Sequence, residues 1–114
     1  MKVTDFRQQL QNPNHQFADT LAFIEQNYTF QPTAFKNGDV ENAKGQNEGS
    51  CKVLALAILE GLTDQEALLA FAEHYRSVVA TPDNNDHQNI RSLQKNGLKA
   101  VTFEQFPLQK LNNK

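Results

Sequence analysis

Ser50-Cys51-Lys52-Val53-Leu54-Ala55-Leu56-Ala57-Ile58-Leu59-Glu60-Gly61 is the stretch that decides the fold of this chain. Ser50 is a good N-cap residue, and Gly61 is placed to end a helix in left-handed geometry. Between them, Leu54 to Leu59 cover nearly the whole helical circumference, so other elements have to surround this helix. Directly before it runs a polar segment from Phe35 to Lys52 that holds three of the five glycines. This segment reads as one long loop, and a compact domain keeps such a loop to bind something or because it has its own packed conformation.

Working outward toward the N-terminus, Phe17, Leu21, Ile24 and Tyr28 recur at helical spacing, and Val3, Phe6 and Leu10 predict a shorter helix that stops near Gln11, before Pro13. Tyr28-Thr29-Phe30-Gln31 alternates as a short strand until Pro32. On the other side, Thr63-Asp64-Gln65-Glu66 is a capping box that opens a helix carrying Leu68, Phe71, Ala72 and Tyr75 on one face. After the turn cluster Thr81-Pro82-Asp83-Asn84-Asn85, Asp86 is placed to cap a helix with Ile90 and Leu93 inward and an end at Asn96-Gly97. Lys99 to Phe103 reads as a strand, paired most simply with Tyr28 to Gln31; the residues after it, 104–114, read as a polar tail that frays. The expectation is a single α+β domain over 1–114, compact and mainly helical, with a small sheet of short strands.

Composition limits what the domain does. At 114 residues it supports one core and not two, and its 39% hydrophobic content is that of an ordinary globular protein. Eleven basic against thirteen acidic side chains, with no Lys/Arg run, argue against nucleic acid as a partner. The longest apolar run is about seven residues against the roughly 20 needed to span a bilayer, which argues against a membrane partner. No signal-peptide core follows Met1 to Asp5, so the expected place is the cytoplasm of the producing cell. The single cysteine rules out an intrachain disulfide.

Three chemistries compete for the polar segment. In the first, Cys51 sits at the start of the core helix, where unpaired N–H groups and Lys52 would lower the thiol pKa; His87, or His74, would be the base, with Asp86 orienting His87. The bland alternative is that Cys51 is a small buried hydrophobe. In the second, Gly49 to Lys52 forms an anion-binding helix start, with Arg76 or Arg91 adding positive charge. The third is a metal site, and it fails on pattern. Asp39-Val40-Glu41 begins like a calcium loop but has Lys44 and Ser50 where glycine and glutamate are needed, and His15, His74 and His87 lack zinc-type spacing, so neither metal nor cofactor is expected.

Phe35-Lys36-Asn37-Gly38-Asp39, Asn42, Gly45, Asn47, Gly49-Ser50-Cys51-Lys52, His74-Tyr75-Arg76 and Asp86-His87-Gln88-Asn89-Ile90-Arg91 together resemble the HopJ type III effector family (HopPmaJ-like proteins), over about Phe17 to Phe103. The resemblance implies a small bacterial, virulence-related protein, delivered into a host cell if it acts as its relatives are named for, with no family catalytic residues to carry over. The reading from residues and the resemblance meet at the same helix ends. Cys51, His87 and Arg91 are expected to lie together with Asn37, Asp39 and Asn47, and Ser50, Lys52 and Arg76 complete the expected set. The function expected is binding of a host protein or small anionic ligand through the 36–52 segment, the alternative a thiol-dependent hydrolase or transferase using Cys51 with His87.

Overall fold

The computed structural model describes residues 1–111. In chain order the elements are α1 (Val3–Gln9), α2 (Phe17–Asn27), β1 (Tyr28–Phe30), β2 (Phe35–Asn37), β3 (Val40–Asn42), α3 (Glu48–Glu60), α4 (Asp64–Ala70), α5 (Glu73–Ala80), α6 (Gln88–Asn96), a single 3-10 turn (Leu98–Ala100), β4 (Val101–Phe103) and β5 (Leu108–Lys110). The class is α+β, with six helices and two small antiparallel sheets among the described residues.

Helix α3 is the centre of the core, as its apolar circumference requires. Val53, Leu54, Ala55, Leu56 and Ala57 are at most 1% exposed, and α2, α4 and β5 pack around them. Gly61 ends the helix at φ 70°, a conformation that costs a residue with a Cβ about 1 kcal/mol or more. Thr63 and Glu66 close the capping box in both directions, at 3.0 and 2.9 Å.

Several expectations change. The cap is Asn47 and not Ser50, because Asn47 turns the chain in left-handed geometry three residues earlier, and the helix starts at Glu48. The segment 36–52 is not a long loop either. Strands β2 and β3 form a hairpin whose two-residue turn, Gly38-Asp39, has positive φ at Gly38 alone, the pattern of a type II′ turn. The side chains of Ser92 and Asn96 press against Gly38, and a Cβ there would come within 2.5 Å of both. Only 43–47 remains irregular, held by Ala43 N–H donating to Gln46 Oε1 and Gln46 N–H donating to Ala43 O.

The helix begun by the capping box breaks after Ala70. Ala72 takes φ 55° and ψ −122°, and α5 starts anew at Glu73. Phe71 and Ala72 are both 2% exposed, so the break keeps apolar residues inward while redirecting the chain. Asp86 does not cap α6; His87 does, in left-handed geometry and without a side-chain hydrogen bond.

Strand pairing also differs. Val101–Phe103 pairs with β2, in register Asn37↔Val101, and Tyr28–Phe30 pairs with Leu108–Lys110 instead. The polar tail is therefore partly structural: Leu108 is 4% exposed and fixes β5 on α3. Leu108 follows Phe106-Pro107 and is followed by two polar residues, a run too short to read as a strand. The last three residues of the expected tail lie outside the described residues.

Candidate functional site

Among the described residues, three other than glycine have positive φ: Asn47 at 54°, Ala72 at 55° and His87 at 52°. Each immediately precedes a helix, α3, α5 or α6, and the three turns aim those helix starts at one cavity of about 390 Å³. Asn47, Gly49 and Ser50 bound it from α3, His74 from α5, and His87, Gln88, Asn89 and Ile90 from α6. Phe17, at the start of α2, and Phe71 complete the wall. Left-handed geometry outside glycine is uncommon and tends to collect at functional sites, where the surrounding structure has to hold it in place.

The helix starts differ in what satisfies their N–H groups. In α2, Glu73 Oε1 accepts from Phe17 N–H at 2.7 Å. Burial alone would raise the pKa of Glu73, but this bond, its own backbone and the charges of His74 and Arg76 leave it lowered. Neither α3 nor α6 has a side-chain cap, and α6 has no acidic residue in its first turn. His74 and His87 are the only ionisable residues among those that line the cavity, their ring centroids 5.2 Å apart.

Behind the cavity lies a network of asparagines. Asn37 Nδ2 donates to Asn89 O and Oδ1 at 2.9 and 3.1 Å, and Asn89 Nδ2 donates to Asn42 Oδ1 at 2.9 Å. Asn47 Nδ2 reaches the same Asn42 Oδ1 at 2.7 Å, and Ser92 Oγ donates to Asn37 O and Oδ1. The hairpin is thereby fastened to the first turns of α3 and α6, which fixes Asn47 and Asn89 at the cavity edge. Among the described residues no buried side-chain polar atom lacks a partner.

The expected residues separate accordingly. Asn47, Ser50 and His87 come together in the cavity. Asn37 is fully buried and serves the network. Asp39 lies with Arg91 in a smaller groove over α6. Arg91 is spent on the preceding turn, donating to Asp86 O at 2.6 Å and Asp86 Oδ1 at 2.7 Å. The Asp86 carboxyl is held below its usual range by that bond, so it is committed to Arg91 and does not orient His87. Arg76 donates to His15 O, and the Lys52 ammonium sits 4.9 Å from the Phe30 ring centroid.

Cys51 contradicts the lowered pKa expected of it. Ser50 faces the cavity, but Cys51, one residue on, turns into the core and is 2% exposed. Burial first, and then the Glu48 charge, push its thiol up to about 11, against the smaller opposing effects of a Thr33 backbone hydrogen bond and Lys52. The helix start that favours a thiolate is outweighed by loss of water around the sulfur.

Phe17, Phe71 and Gln88 were not singled out from the sequence. The phenylalanines read as core by periodicity, and no local signal marks Phe17 as a cavity wall. Gln88 and Asn89 lay inside the Asp86 to Arg91 motif without a role, and His74 was weighed only as a base. His15 is apart from the site: its Nε2 is 2.7 Å from Thr20 Oγ1, its Nδ1 2.9 Å from Gln9 Nε2, and burial lowers its pKa. Among the described residues no three His, Cys, Asp or Glu side chains are grouped to hold a metal, and no helix is long and apolar enough to cross a membrane.

The family model for HopJ type III effector proteins matches residues 3–108. The chain belongs to the HopJ type III effector family. The HopJ match is wider than the 17–103 over which the motifs alone suggested it; it takes in α1 and reaches the first residue of β5. A solved structure described as "Crystal structure of unknown function protein VPA0580" is similar to this HopJ chain at 38% identity and TM-score 0.91, covering 97% of this chain and 95% of its own. No curated protein matches the chain.

Proposed function

We propose that this HopJ protein is an effector-related binding protein that takes a small anionic ligand in the cavity between the starts of α3 and α6. The observation that carries the reading is that two helix starts without side-chain caps open on one cavity through Asn47, Gly49 and Ser50 and through His87, Gln88 and Asn89, while Glu48, the carboxylate in the first turn of α3, is not among the lining residues. Unpaired backbone N–H groups and the positive ends of two helix dipoles favour negative charge. The imidazoles of His74 and His87 supply further donors. The thiol-dependent alternative gains nothing from a cysteine turned into the core.

Titration of the ¹⁵N-labelled protein with acetate and with inorganic phosphate tests the reading. Saturable shifts confined to the amides of Gly49, Ser50, Gln88 and Asn89 support it. Shifts that stay linear in concentration or spread over the surface overturn it. The family description further supports delivery into another cell by a type III system. A translocation-reporter fusion should give signal from a secretion-competent strain and none from a strain lacking the secretion apparatus; equal signal from both counts against delivery.

A further inference from the structure

We infer that the ligand of this cavity carries a planar aromatic ring, an inference that rests on the anion-binding reading above. Four rings run in series along the wall. Phe71 and Phe17 are nearly parallel, with centroids 6.0 Å apart and 6° between their planes. His74 meets Phe17 edge-on at 4.9 Å, and His87 follows at 5.2 Å and 40°. All four line the cavity, with Ile90 adding an aliphatic surface. Aromatic rings prefer offset or edge-to-face contact with another ring, beyond what buried area alone provides. A bare inorganic anion would leave this wall unused.

The remaining lining is polar: Asn47, Ser50, Gln88 and Asn89. Asn47 and Asn89 are positioned in advance by their shared acceptor on Asn42, so their place in the cavity does not depend on the ligand. A volume of about 390 Å³, an aromatic side and a few fixed polar groups suit a compact small molecule. The ring lies along Phe17 and the histidines, and its acidic substituent points to the first turns of α3 and α6. Gly49 is part of the same design. A Cβ there would come within 3.0 Å of the Phe17 ring, so glycine is what lets the ring lie over the start of α3.

The test uses four probes on the full chain at fixed pH and ionic strength: benzoate, cyclohexanecarboxylate, benzamide and inorganic phosphate. Benzoate is expected to bind about two- to tenfold more tightly than cyclohexanecarboxylate, which has the same charge and no π face. Equal affinity of the two carboxylates overturns the ring inference and leaves the anion reading standing. Benzamide as tight as benzoate supports the ring and overturns the anion. Phosphate binding without either carboxylate overturns the ring alone, and silence with all four overturns both. In Phe17→Leu the preference for benzoate should collapse while cyclohexanecarboxylate still binds; a preference kept at the wild-type level overturns the assignment of the wall. Because Phe17 also packs on Phe71, Gly49→Ala gives a second reading, with benzoate weakened more than phosphate. Equal weakening of the two counts against the ring.

Discussion

Cys51 shows how one side chain can reverse a reading made from its neighbours. Position at a helix start and a following lysine argue for a reactive thiolate, yet the sulfur has lost nearly all its water, and desolvation prevails. Alkylation of the native protein at pH 8 should therefore be slow, limited by opening of the fold, and fast once denaturant unfolds the chain. A native rate close to the unfolded one would contradict the burial. The raised pKa also couples to stability. The unfolded thiol ionises near the ordinary value of 9.0 and the folded one at about 11, so between these the unfolded state holds fewer protons and stability falls as pH rises. Urea midpoints at pH 8 and pH 10.5 should decline less in Cys51→Ala than in the wild type, although the substitution itself lowers stability by about 1–2 kcal/mol through lost buried contacts.

At the scale of elements, the cavity depends on how the β2–β3 hairpin is fastened to α6. Asn37 has no exposed surface and satisfies both Asn89 and Ser92. Asn37→Ala leaves those groups short of partners in a buried site, at a cost of about 1–3 kcal/mol. Lys36→Ala, one residue earlier and exposed, should stay within about 0.5 kcal/mol. Chemical denaturation of the two variants checks the difference, and amide shifts at Asn47 and Asn89 in Asn37→Ala report whether the cavity edge moves with the network. The elements themselves were largely legible. The capping box at Thr63 and the stop at Gly61 rest on chemistry local to a few residues. The hairpin was missed because each strand has three residues, one apolar followed by two polar, which carries too little pattern to separate from a loop. The break at Ala72 was missed because alanine is a strong helix former, and nothing beside it signals the positive φ that packing imposes.

For the molecule as a whole, the C-terminal strand joins the two ends of the chain's logic. Leu108 is 4% exposed beneath β1 and against α3, though it lies close to the terminus. Leu108→Ala should cost about 2–4 kcal/mol, as for other buried leucines, while exposed Gln109→Ala should be nearly silent. Thermal unfolding of the two variants separates a strand that belongs to the core from a frayed tail, in which both changes would be silent.

By itself the sequence determined the central helix, the class of the fold, the order of most helices and the family, because each follows from periodicity, capping or a motif contained in a short window. Asn47, Ser50 and His87, named from it, line the cavity, although it read Asn47 as loop and placed the caps of α3 and α6 at Ser50 and Asp86. The tertiary structure alone decided which strands pair, which way Cys51 faces, and that Phe17 and Phe71 wall a cavity shared with His74 and His87. The physical reason is common to all of these. Each depends on what residues distant in the chain bring against a side chain, through loss of water, a competing partner or a ring across a gap.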